Sequence, residues 1–88
     1  MTTPTATRQD IVDTVYEACV EILQADRSTL SETTAFAADL EADSLALVEI
    51  VMVLEERFDL RIPEEDLDGV DTIGAAADLV SERLAAAA

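Results

Sequence analysis

Four stretches of this chain show apolar residues recurring at helical intervals, and the clearest runs from Leu45 to Phe58. It contains no Gly or Pro and opens on Asp43 and Ser44. At about 100° per residue, Leu47, Ile50, Val51, Leu54 and Phe58 gather on one side of the cylinder, the i, i+3, i+4, i+7, i+11 spacing of a buried face. Leu45, Val48 and Met52 gather on another side, with Glu49, Glu55 and Glu56 among them. The pattern predicts a helix of about four turns with two apolar faces. One face can enter a core. The other is mixed with carboxylates, which are expensive to bury without partners. It is expected to remain exposed as a docking strip for another protein, with Ser44 at its head. The alternative is that the long segment before the helix folds back over Leu45, Val48 and Met52.

The remaining periodic stretches place three more elements. Thr7 followed by Asp10 reads as a capping box, and behind it Ile11, Val12, Val15, Cys19, Ile22 and Leu23 repeat as a helix face opposite Asp13, Glu17 and Glu21. On that face Cys19 reads as a small core residue and Tyr16 as the stripe's amphipathic edge. Ala25 to Asp43 has no sustained period. A connection of about 19 residues is long for a small domain, so Leu30, Phe36 and Leu40 are expected to pin it, with one helical turn at Phe36 to Leu40 bringing Asp39 and Glu41 close to Ser44. After the link Asp59 to Ile62, Pro63 can open and Gly69 close a short helix with Leu67 inward. Thr72 then caps a last helix with Ile73, Ala76, Ala77, Val80 and Leu84 on its inner stripe. The expected fold is all-α: a small bundle of three main helices, one short helix between the second and the last, and a long loop after the first. Residues 1–7 read as a Thr-rich flexible tail and 8–85 as one domain.

Composition sharpens this picture. Half of the 88 residues are hydrophobic, so the chain folds despite 20 acids against five basic residues and a net charge of −15. The basic residues are all arginine, and between Asp39 and Asp71 only Arg57 and Arg61 stand among the acids. Such a field repels nucleic acid and anionic membranes and attracts basic protein surfaces. It also opposes self-association, so a monomer is expected. One cysteine allows no intrachain disulfide, the first residues are polar, and no apolar run approaches the roughly 20 residues of a membrane span. A cytoplasmic location is the expectation.

The chain has no His and no Lys, so Ser44 has no base of its own beyond a carboxylate, which is too weak to activate an alcohol near neutral pH. The alternating acids Asp39, Glu41 and Asp43 fail the calcium-loop spacing, which would need Gly at Ser44 and Glu at Ile50. No metal site is expected. Two readings of Ser44 remain open from the residues alone. It is a helix-initiating serine beside the capping Asp43, or a hydroxyl that serves the docking strip from the unpaired amides and positive dipole end of the helix start.

Asp43-Ser44-Leu45, with Val48-Glu49, Met52, Leu54-Glu55-Glu56, Phe58 and Ile62-Pro63 in order behind it, resembles the acyl carrier protein family. The likeness runs from about Phe36 to Val80. It implies that Ser44, flanked by Asp43 and Leu45, is esterified with 4′-phosphopantetheine by a phosphopantetheinyl transferase using coenzyme A. The protein would then be a carrier and not an enzyme, holding acyl groups as thioesters for fatty acid or polyketide assembly. Under this reading Asp39, Glu41, Leu45, Val48, Glu49, Met52, Glu55 and Glu56 form the face read by acyltransferase, ketosynthase or ligase-type enzymes with basic patches. Leu47, Ile50, Val51, Leu54, Phe58, Val70 and Ala76 would part to shelter the acyl chain, the alternative being a closed, dry core. Two positions depart from the family: Glu41 stands where Gly is common, and Ala46 where an acid usually follows the motif. With the Thr-rich leader they tilt the expectation toward specialised metabolism. An unmodified acidic adaptor for a basic partner is the competing class. A peptidyl carrier is disfavoured, because Glu41-Ala42-Asp43-Ser44 replaces that family's Gly-Gly-x-Ser.

Overall fold

The computed structural model describes residues 7–87, and their order is α1 (Arg8–Leu23), a first 3-10 turn (Arg27–Thr29), α2 (Ser44–Phe58), a second 3-10 turn (Glu64–Leu67) and α3 (Ile73–Ala87). The architecture is an all-α bundle. Met1 to Ala6, most of the tail expected from the sequence, lie outside the described residues. Thr7 is already part of the fold. Its hydroxyl accepts from the Asp10 amide at 3.1 Å while its own amide donates to Asp10 Oδ2 at 2.9 Å, closing the capping box that opens α1. α3 runs to Ala87.

α1 is the element on which the other two helices pack. Its Ile11, Val12, Val15 and Cys19 are sealed from solvent together with Ile50, Val51 and Leu54 of α2 and Ile73, Ala76, Ala77 and Val80 of α3. Alanines at two inner positions of α3 let the helices approach closely. Burial pushes the Cys19 thiol up to about 11, so near neutral pH it is a protonated packing group. Tyr16 departs from the sequence expectation. It is 8% exposed and inside the core, because the Arg27 guanidinium of the loop lies over its ring at 4.1 Å and covers the edge left open by the helix.

The long loop is not irregular throughout. Ala35 and Thr72 form an isolated antiparallel bridge. The Phe36 amide donates to Asp71 O at 2.9 Å and the Ile73 amide to Thr34 O at 3.0 Å, stitching the loop to the start of α3. Leu30 and Phe36 are buried, and Leu40 is half-buried against the core, so all three pin the segment. Phe36 to Leu40 forms hydrogen-bonded turns and not a helix, because Ala42 N–H closes back on Phe36 O at 2.9 Å and ends the run. The expected short helix after Pro63 is a single 3-10 turn that stops at Leu67, with Gly69 at φ +87 reversing the chain behind it.

Loop and α3 touch where Gly74 meets Glu32. The Gly74 amide donates to Glu32 O at 2.8 Å, and a Cβ at Gly74 would stand 3.0 Å from that same oxygen. Arg8 tightens the contact by pairing with Glu32 at 2.6 Å and with Asp78 at 2.9 Å, which holds the Glu32 carboxyl below its usual range. Gly74→Ala gains up to about 1 kcal/mol of helix propensity against crowding by three atoms of Glu32 at 3.0–3.2 Å. Gly74→Val adds two methyl groups and loses part of that gain. It is expected to lower unfolding free energy by about 1–3 kcal/mol in urea titration, and an unchanged midpoint would show that the loop does not rest on Gly74.

Candidate functional site

α2 starts at Ser44 because Asp43 caps it. Asp43 is in extended geometry, with φ −85 and ψ 178, and its Oδ1 accepts from the Ala46 amide at 2.8 Å. The Leu47 amide reaches Asp43 O at 3.1 Å, the first intrahelical bond. The Ser44 and Leu45 amides therefore remain without intrahelical partners, at the positive end of the helix dipole. Ser44 is exposed. These are the features an ester-linked phosphate needs: an accessible hydroxyl, two adjacent free donors and a favourable field.

The turn before α2 delivers this geometry. Glu41 has φ +54, a left-handed conformation that costs a residue with a Cβ about 1–2 kcal/mol and that Gly adopts freely. This supplies a physical reason for the Gly common in the resembled family at this point. The turn is held in spite of it by five bonds: Asp39 Oδ2 accepts from the Ala35 amide at 2.7 Å, the Asp39 and Leu40 amides donate to Ala35 O at 3.0 and 3.2 Å, Glu41 N–H meets Ala37 O at 3.1 Å, and Ala42 N–H meets Phe36 O at 2.9 Å.

A cavity of about 440 Å³ opens beside Ser44. It is lined by Asp43, Ser44 and Leu47 at the start of α2, by residues 67–71 after the second turn, and by Ala35, Phe36, Ala37, Ala38 and Ala42 of the long loop. Of the seven positions named from the sequence for sheltering a chain, Leu47 and Val70 line this space. Ile50, Val51, Leu54 and Ala76 are packed in the core and Phe58 is half-buried, and none of these five lines the cavity. Sequence reasoning passed over the small residues of the loop, Ala35, Ala37, Ala38 and Ala42, and over Leu67, Asp68, Gly69 and Asp71. The cluster of alanines just ahead of Asp43 was the available signal: side chains that small leave room wherever they face a neighbouring segment.

The second face of α2 is open. Leu45 is 66% and Met52 55% exposed, Val48 is half-buried, and Glu49 and Glu56 are exposed beside them. The preceding loop does not fold back over this strip. Asp39 and Glu41 are exposed at its head, with Asp39 already engaged in the turn. Glu55 is engaged too, for its Oε2 accepts from the Ile62 amide at 2.7 Å and fixes the link after the helix. Glu41, Glu49 and Glu56 are left as the exposed acids of the strip. Among the described residues, no three His, Cys, Asp or Glu side chains are arranged to hold a metal ion.

A family model for the phosphopantetheine attachment site matches residues 13–80. The acyl carrier protein of Phenylobacterium zucineum is 40% identical over 77 residues, which is 88% of this chain and 98% of that relative. The chain belongs to the acyl carrier protein family. The acyl carrier proteins of Picosynechococcus sp. (37% identical, 89% of this chain and 96% of the relative) and Caulobacter vibrioides (40%, 86% and 97%) are similar over the same extent. As an acyl carrier protein it is a carrier and not a catalyst, its cofactor is 4′-phosphopantetheine, and it works with biosynthetic enzymes and a phosphopantetheinyl transferase. No described helix is long and apolar enough to cross a membrane.

The capping bond sets a measurable expectation. Asp43→Ala removes the bond to the Ala46 amide and should cost about 0.5–2 kcal/mol in unfolding free energy, while Asp43→Asn keeps an oxygen there and loses much less. Urea titration of the two variants compares them, and equal losses would show that charge and not the cap holds the helix start.

Proposed function

We propose that Ser44 is the residue that carries 4′-phosphopantetheine, and that the open strip of α2 is where partner enzymes dock to load and unload it. The observation that carries this reading is the position of Ser44: exposed, at the uncapped amides of α2, on the rim of the cavity and at the head of the exposed strip. When bound, the arm supplies a thiol that holds acyl groups as thioesters.

The chain's own residues do the rest. Ser44 Oγ has no base beside it, since its neighbour Asp43 is committed to the Ala46 amide, so deprotonation falls to the transferase. The Ser44 and Leu45 amides face the attached phosphate, an interaction of about 0.3–1 kcal/mol at an exposed site. The Asp43 carboxylate repels free phosphate, which makes a covalent bond the means of retention. Leu45, Val48 and Met52 give a partner a small apolar contact, and Glu41, Glu49 and Glu56 steer a basic patch onto it. Weak, quickly formed contacts suit a protein that must visit several enzymes. The relatives are named only as acyl carrier proteins; for this chain we infer acyl cargo of fatty acid or polyketide assembly, sheltered in the cavity that Leu47 and Val70 help to line.

Intact mass after incubation with coenzyme A and a broad-range phosphopantetheinyl transferase tests the attachment. One adduct is expected on the native chain and none on Ser44→Ala; no adduct on either would leave an unmodified adaptor. Lysine at both Glu49 and Glu56 should slow transferase loading at least severalfold at low salt, with the deficit shrinking as salt rises. Unaltered loading kinetics would place the docking face elsewhere.

A further inference from the structure

The cavity beside Ser44 has one firm side and one weakly built one. On the weak side, the turn Glu64–Leu67 contains no buried residue, and Pro63 gives it no side-chain cap. Gly69 follows in a left-handed conformation with open space around it. Within the segment, the Val70 amide bonds back to Leu67 O at 3.0 Å, which closes the turn on itself and ties it to nothing else. Yet residues 67–71 line the same cavity as Ser44.

Two ends hold this wall. At Asp71 the backbone oxygen is fixed by the Phe36 amide. At the other end Asp66 forms an ion pair with Arg83 on the second half of α3, and the paired Oδ2 is withdrawn from solvent. Between them, the half-buried Leu67 and Val70 rest on the core. The local charge makes the Asp66 end dependent on its partner. Glu64, Glu65, Asp66 and Asp68 put four carboxylates into five residues, and Arg83 is the cation that faces them from α3. The other ion pairs among the described residues lie elsewhere, joining Arg8 to Glu32 and Asp78, Arg27 to Asp13, and Arg57 to Glu17. Removal of Arg83 would leave the half-buried Asp66 carboxylate without its cation amid like charges, and a turn released from α3 lets those carboxylates spread and hydrate fully.

We propose that the Asp66–Arg83 ion pair is a latch that holds the 64–71 wall against α3, so that Arg83 acts as a positioning residue for how well the cavity beside Ser44 shelters an apolar cargo. The cargo part rests on the attachment reading above; the latch itself does not. A half-exposed ion pair changes a local opening equilibrium by about two- to fivefold, an effect small beside the stability of the whole bundle and large for a segment with so few anchors.

Amide hydrogen exchange on the unmodified full chain reads the latch directly. In Arg83→Gln, amides of residues 64–71 should exchange about two- to fivefold faster while those of α1 keep their protection. Arg83→Lys should restore part of the protection, and the reversed pair Asp66→Arg with Arg83→Asp should restore most of it. Unchanged exchange in residues 64–71, or no recovery in the reversed pair, overturns the latch. On loaded protein, hydroxylamine cleavage of an octanoyl thioester is expected to be slower than that of an acetyl one, and this difference should shrink in Arg83→Gln and return in the reversed pair. A difference that ignores the pair overturns the sheltering role, because a merely structural loosening would speed both cleavages alike. Absence of any adduct on Ser44 would sink the attachment reading alone, with the exchange measurement still deciding the latch.

Discussion

The site depends on a short antiparallel pairing that no helix contains. Phe36 N–H to Asp71 O and Ile73 N–H to Thr34 O fasten the middle of the long loop to the residues around the start of α3. That fastening fixes two things at once: the entry of the chain into α2, where Asp43 and Ser44 sit, and the end of the 67–71 segment that lines the same cavity. Without it the two sides would belong to separate loops with no common reference. The Gly74–Glu32 contact and the Arg8 pairings continue the same seam down to the start of α1. A side chain at position 74 would stand in its way.

Charge is arranged around this frame in two different ways. Arg8, Arg57 and Arg83 join elements that are distant in sequence, α1 to loop and α3, α2 to α1, and the second turn to α3. Each pair is half-exposed and individually weak. They matter through placement, since each joins segments far apart in the sequence. The acids left over are not scattered evenly: they crowd the surface from Asp39 to Asp71, around Ser44 and along the open strip of α2. A carrier gains from this separation. The cations hold the fold inward, and the outward surface presents one sign of charge to whatever approaches.

Much of the fold could be read from residue spacing. The two faces of α2 were visible on a helical wheel, and the structure shows Ile50, Val51 and Leu54 sealed while Leu45 and Met52 face solvent. Caps at Thr7, Asp43 and Thr72 were equally legible, because a capping residue acts over three positions. What escaped were features made by residues far apart in the chain. The Ala35–Thr72 bridge has no periodic signature, and Ile62 is 6% exposed although it looks like part of a link. Tyr16 was misread as an edge because its cover, Arg27, comes from the following loop. The cavity was legible only in part. Leu47 and Val70 do line it, while Ile50, Val51 and Leu54 fill the core, and the rest of the opening is made by small residues and by a turn that packs incompletely.

That division between filled core and incomplete turn bears on how one small protein handles cargo of different sizes. Close packing makes a core resist any change of volume, so opening a space between Ile50, Leu54 and Val80, all within 1% of full burial, would strain the bundle. The turn at 64–67 presents no such resistance, having no buried side chain to displace. Ser44 lines the same space from the start of α2, which the Asp43 cap and the bonds of the 35–42 turn keep in place. A yielding wall beside a fixed Ser44 lets that space vary while the exposed strip of α2 keeps its shape. Under the proposed docking reading, enzymes that bind the strip would then meet the same surface, whatever the protein carried.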